Sequence, residues 1–152
     1  MKRQRQDEAT EAAFTLGDDD RFYAILASDG VRYETDPDAE TVITFFVIRR
    51  SSGRFDIVNI YKTFKGRECV SRTVQTKQGI PAGRIEAEVT AIEQVFSESI
   101  EESTGYRIKW YRLDLARVED RATQIAAIAY WGRVGVKVEP GGGITETECP
   151  RI

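Results

Sequence analysis

Apolar and polar positions fall into two regimes along the chain. Thr41–Arg50, Arg54–Phe64 and Arg67–Thr76 are rich in β-branched and aromatic residues, and Ser51-Ser52-Gly53 and Lys65-Gly66 interrupt them with turn residues. Runs of that composition, bounded by such clusters, read as strands. Connections this short permit only antiparallel pairing, so the three runs predict a meander. Upstream, Phe22–Ala27 reads as another strand, and Asp29-Gly30 is a two-residue hairpin signal that returns Val31–Thr35 as its partner. Asp36-Pro37-Asp38 breaks that pairing.

The period then changes. Ile85, Val89, Ile92, Phe96 and Ile100 recur at helical spacing and make one apolar stripe, with Pro81 ahead of it and Gly105 behind it as punctuation. Tyr106–Leu113 alternates again, placing Tyr106, Ile108 and Trp110 on one face of a strand with an aromatic core side. Asp114 is positioned to cap a last helix with Val118, Ala122, Ile125 and Ala129 as its apolar set. Val134, Val136 and Val138 suggest one more short strand before the pattern dissolves at Pro140-Gly141-Gly142-Gly143. The fold class is α+β: an N-terminal antiparallel β-meander of about five strands, then a long amphipathic helix, one strand and a second helix. Residues 1–20 read as a flexible N-terminal arm, 21–139 as a single α+β domain and 140–152 as a flexible C-terminal tail.

The meander is apolar on both sides. One face carries Phe46, Ile48, Val58, Ile60 and Phe64, and the other carries Phe45, Val47, Phe55, Ile57, Tyr61, Val70 and Val74. Both faces therefore need cover. The long helix suits one; the second helix, the N-terminal hairpin or a second copy of the chain is required for the other, and a homodimer is the expectation.

Composition narrows the chemistry. The chain has 152 residues and no histidine, which removes His-based acid–base catalysis, Ser/His and Cys/His nucleophile pairs and nearly all zinc sites. Neither a metal site nor a cofactor is indicated. Asp18-Asp19-Asp20 lacks the alternating ligands of a calcium loop and reads as a solvated turn or cap. The glycine run at 141–143 has no Lys-Ser/Thr after it and is no phosphate loop. Cys69 and Cys149 lie far apart, which suits a reduced, cytoplasmic protein, with a disulfide between them left open. The polar N-terminus lacks a secretory core, and the longest apolar stretch, Val42–Ile48, is far too short to span a membrane.

Charge changes the picture most. The net charge is only −3, yet residues 41–77 carry eight basic side chains and two acidic ones, whereas residues 78–105 carry one basic and six acidic. Around the first meander turn, Arg49, Arg50 and Arg54 crowd together, with Arg50 and Arg54 as cross-strand neighbours if the turn is a three-residue loop. Lys62, Lys65 and Arg67 gather at the other end, beside Tyr61 and Phe64. Opposed like charges destabilise a strand pair, an anion relieves them, and aromatic rings among cations suit base stacking. Basic residues at sheet rims also simply keep edges soluble. On the simplest register Arg72 falls on the opposite face from Lys62 and Arg67.

These features point to a non-catalytic binding protein for a phosphate-bearing anion, either single-stranded nucleic acid or a small nucleotide, held by Arg49, Arg50, Arg54, Tyr61, Lys62, Phe64, Lys65 and Arg67. The absent histidines and nucleophile motifs weigh against an enzyme, and the acidic helix reads as a solvated face rather than a carboxylate centre. The alternative is a regulatory, inhibitory or immunity-type factor that offers its acidic helix or arm to a basic protein partner.

Overall fold

The computed structural model describes residues 16–138 and 144–146. The expected arm at 1–15, most of the expected tail and Cys149 lie outside them. Its elements are β1 (Arg21–Ser28), β2 (Val31–Arg32), β3 (Ala39–Arg49), β4 (Phe55–Lys65), β5 (Glu68–Ile80), α1 (Ile85–Thr104), β6 (Trp110–Asp114), α2 (Arg121–Tyr130), β7 (Val136–Val138) and β8 (Ile144–Glu146). The α+β class, the antiparallel meander and the helix–strand–helix sequel are all present.

Strands β3, β4 and β5 form the meander, and the sheet order is β5-β4-β3-β1-β6, with β2 also on β3. Every pairing is antiparallel. The first turn is the three-residue loop expected: Arg50 N donates to Arg54 O at 2.8 Å, and Gly53 takes φ +87°, a conformation that glycine adopts without strain.

Asp29-Gly30 does not make a hairpin. Both β1 and β2 run antiparallel to β3, with Ala27 opposite Thr44 and Val31 opposite Thr41, so β2 continues the line of β1 along one edge of β3. The carboxylate of Asp29 explains the outcome. It accepts from Tyr106 Oη at 2.8 Å and from Lys109 N at 3.1 Å, and Asp29 N donates to Lys109 O at 3.0 Å. Asp29 thus anchors the approach to β6 instead of turning the chain.

One helix covers each face. Ala24, Leu26, Ile43, Phe45, Val47, Phe55 and Ile57 pack with Ile85, Val89 and Ile100 of α1, joined by half-buried Tyr106, Ile108 and Trp110. Trp110 is held by ring stacking on Phe45 and donates Nε1–H to Ser97 Oγ at 2.8 Å. On the opposite side Phe22, Ile25, Phe46, Ile48, Val58 and Ile60 pack with Leu115, Ile128, Val134 and Leu16. Since α2 supplies that cover, the sheet gives no reason to require a second copy.

Helix α2 starts later than its sequence pattern implies. Asp120 is the cap, accepting from Thr123 N at 3.1 Å, while Asp114 ends β6 and accepts from Ala116 N. The buried positions of α2 are Gln124 and Ile128, and Gln124 is only 2% exposed. Its Oε1 accepts from Phe22 N at 3.1 Å, and its Nε2 donates to Phe22 O (2.9 Å), Leu115 O (3.1 Å) and Val118 O (2.6 Å). A polar side chain this deep is tolerated because both ends of its amide are satisfied.

Residues 16–20 belong to the folded body rather than to a loose arm. Leu16 is buried, and Asp20 is 8% exposed, accepting from Gly17 N at 2.7 Å and Ser51 N at 2.8 Å. At the other end β7, in the place where one more short strand was expected, pairs with β8, which lies within the stretch expected as a tail, and the two make a small separate ribbon.

Candidate ligand-binding clefts

The cations of the meander do not converge on one site. Arg50 lies between two buried carboxylates, with Nε 2.7 Å from Asp56 Oδ2 and Nη1 3.1 Å from Asp20 Oδ2. Asp20 is burdened by desolvation, which pushes its pKa up. The backbone N–H groups of Gly17 and Ser51, with Arg50, outweigh that and hold it below the usual carboxylate value. Arg54 donates to Gly79 O at 3.0 Å, and Lys65 lies 3.1 Å from Asp36. Arg49 is exposed and lines a hollow of about 630 Å³ with Arg21, Asp19 and Glu119, where charges of both signs meet. Arg67 is exposed at the β4–β5 turn and engaged in an interaction of its own. The two rims stand at opposite ends of β4, roughly 30 Å apart at the usual strand rise.

The aromatic residues separate as well. Tyr61 lies on the α1 face, tilted against Phe96, and burial there raises its phenol pKa. Lys62 and Phe64 are buried on the α2 face. Tyr61 and Lys62, adjacent in sequence, therefore cannot serve one ligand.

Arg72 is on the same face as Lys62, directly opposite it in the β4–β5 ladder. The reason is one extra residue. Phe64 pairs with Cys69 but Thr63 pairs with Ser71, so Val70 is bulged out and half-exposed, and β5 is shifted by one from Ser71 to Lys77. The same shift puts Val74 opposite Ile60, on the α2 face rather than the α1 face.

Two clefts remain. The first opens on the α2 face beyond the end of that helix and has a volume of about 450 Å³. Its floor is Val42, Thr44, Ile60, Lys62 and Phe64, and its wall is Tyr111 with the turn Gly132–Gly135. Lys62 is 6% exposed there. The Arg133 guanidinium sits 3.8 Å from the centre of the Tyr111 ring, at the cation–π distance. Two acids share the rim: Asp29 is held by Tyr106 and Lys109 N, and Glu40 pairs with Arg32 at 3.6 Å. Of these residues, the sequence pointed to Lys62 and Phe64; Tyr111 and Arg133 were hidden because the turn that aims them lies about seventy positions downstream of Lys62.

The second cleft, about 460 Å³, lies on the other face between α1 and strands β4 and β5. Helix α1 is buried near its ends, at Ile85, Val89 and Ile100, while Ile92 and Phe96 in its middle are only half-buried and Val95 is 63% exposed.

The two acids in the first turn of α1 are paired within the chain. Glu86 receives both Arg112 Nη groups at 2.9 Å and the Tyr23 hydroxyl at 2.5 Å, which together hold its carboxyl down at about 2. Glu88 bonds Lys77 at 2.5 Å and lies 3.4 Å from Arg84. No group of three or more metal-ligating side chains occurs among the described residues, and none of their helices is long and apolar enough to cross a membrane. Comparison with protein-family models, with curated proteins and with solved structures gives no match for this chain.

Proposed function

We propose that the protein is a non-catalytic binding protein for a small phosphate-bearing ligand of the nucleotide class, taken into the cleft above Lys62. The observation that carries this reading is Lys62, whose side chain lines the floor of a cleft of about 450 Å³, with Arg133 and Tyr111 on the adjoining wall. That volume is in the range of small-molecule sites, and few of its polar groups are needed to fix an anion. Lys62 supplies a point charge for a phosphate and Arg133 a planar fork of donors, while the face of Phe64 and the Tyr111 ring give an apolar bed for a flat base. A small ligand is favoured over a long single strand because the two rims, at opposite ends of β4, do not form one continuous track.

The test is thermal unfolding in the presence of nucleoside monophosphates, inorganic phosphate and an oligothymidylate. A mononucleotide at a hundred times its dissociation constant stabilises the fold by about 2.7 kcal/mol, which is roughly 5–10 °C for a chain of this size. Lys62→Met should abolish that ligand-induced shift, and added salt should weaken it. A shift that survives in Lys62→Met, or no shift with any nucleotide, refutes the reading. Binding of the oligonucleotide alone, lost when Arg49, Arg54 and Arg67 are replaced, transfers the function to the sheet rims.

A further inference from the structure

The α1 face of the sheet holds one residue that breaks its own pattern. Along β4, Phe55, Ile57 and Tyr61 point towards α1, and so does Asn59, opposite Phe45 on β3 and Gln75 on β5. Asn59 is 5% exposed, and its side-chain oxygen accepts no hydrogen bond among the described residues. An amide oxygen buried without a donor is a standing cost, because the water it gave up is not replaced. Such a residue in the middle of an otherwise apolar strand face is the kind of local inconsistency that function explains better than stability does.

The surroundings define what would satisfy it. Asn59 faces the second cleft and also a smaller adjoining hollow of about 280 Å³ that it shares with Gln75 and Phe96. Phe45, Ile57, Ile92 and Phe96 make the bed, and Phe45 and Phe96 meet edge to face at 5.5 Å, as aromatic rings prefer. The charged residues on the lining, Lys77 and Glu88, are bonded to each other at 2.5 Å and so present no net charge to an occupant. The middle of α1 stands off the sheet where the cleft opens, with Val95 at the lip.

We infer that this cleft is a second ligand site, selective for an uncharged, ring-bearing small molecule that donates one N–H or O–H to Asn59 Oδ1. The ring replaces water over the half-buried Ile92 and Phe96, and the donor ends the deficit at the amide oxygen. This site lies on the opposite face of the sheet from Lys62 and is independent of the anion-binding reading.

Indole and 1-methylindole are the probes, since they share a ring system and differ in the single donor. Titration of the full chain, followed by two-dimensional amide NMR, should show indole shifting the signals of Asn59, Gln75 and the middle of α1. Indole should bind about fivefold to tenfold more tightly than 1-methylindole, the factor that one satisfied buried acceptor provides. In Asn59→Leu the preference should vanish, with 1-methylindole binding at least as well as indole. Equal affinity of the two probes for the unaltered chain, shifts confined to other surfaces, or no binding of either at millimolar concentration overturns the inference. A nucleotide effect that depends on Lys62 is unaffected by any of these results, so the two sites fail separately.

Discussion

Replacing Arg50 by Met removes the one cation that Asp20 and Asp56 share. Both acids are nearly enclosed, at 8% and 7% exposure, and the guanidinium contacts them at 3.1 Å and 2.7 Å. Breaking a buried ion pair by deleting one member typically costs about 3–5 kcal/mol, since the remaining charge is left in a poor dielectric. The lower end applies here. Asp20 keeps the N–H groups of Gly17 and Ser51, Asp56 keeps Gly79 N at 3.0 Å, and the arginine side chain itself retains 21% exposure. A loss of about 3 kcal/mol lowers Tm by roughly 6–12 °C in a domain of this size. Urea titration at neutral pH gives the free energy directly, and an unchanged m-value certifies that the variant still unfolds as one unit. The pH dependence carries an independent sign. Asp20 has a folded pKa below the ordinary aspartate value of 3.8, so its stabilisation is complete above that value and disappears as pH falls through the folded pKa. Without Arg50 the folded pKa rises, and acid unfolding should begin at a higher pH. The triple change Asp20→Asn, Arg50→Met, Asp56→Asn should recover more than half of the loss, because no unpaired charge remains. A single-variant loss below about 1 kcal/mol would show that the three groups are solvated at the rim and refute the reasoning.

Two other sites give sharp expectations. Gln124→Glu sets a carboxylate against Phe22 O, Leu115 O and Val118 O, and should cost about 3 kcal/mol or more at neutral pH, with partial recovery on acidification as the new acid takes up a proton; calorimetry at two pH values reads both. Glu86, held at about 2 by Arg112 and Tyr23 against an ordinary glutamate value of 4.5, stabilises the fold above that upper value, and the contribution is lost as pH falls from 4.5 towards 2. Both partners are a third to a half exposed, so screening reduces it to about 1 kcal/mol, and Glu86→Gln should flatten that part of the acid limb in urea titrations.

What could be read from the chain was whatever short-range period encodes. The stripe Ile85–Ile100 and the turn at Ser51-Ser52-Gly53 announce themselves, because a helix needs apolar residues at its own repeat and a tight antiparallel turn needs glycine where φ is positive. The errors came from interactions between distant residues. Asp29-Gly30 is a hairpin signal until Tyr106 and Lys109, far along the chain, occupy the Asp29 carboxylate. Asp114 is the cap that local pattern suggests, but the helix that buries Gln124 starts six residues later, at Asp120. A single bulge at Val70 reverses the faces of Arg72 and Val74, and period-two patterning has no means of announcing it. Clustered charge in the sequence does not tell which cations the fold pairs internally. Arg50 and Lys65 are basic at the rims because acids at Asp20, Asp56 and Asp36 meet them there. Asn59 carried a usable signal that composition counting passes over: one amide in a strand whose same-face neighbours are Ile57 and Tyr61.

The position of β1 has a consequence for how the molecule comes together. Its neighbours are β3 on one side and β6 on the other, and the Ile25–Leu113 and Leu26–Arg112 pairs close loops of more than eighty residues. Loop closure of that span is slow relative to hairpin formation, so the meander is expected to assemble first and to wait with one flank of Ala24–Ala27 unzipped. During synthesis that flank stays open until the Trp110–Asp114 segment has left the ribosome. It is a greasy, hydrogen-bond-hungry ledge in the interim, and a chaperone or a neighbouring nascent chain would find it before the native partner does.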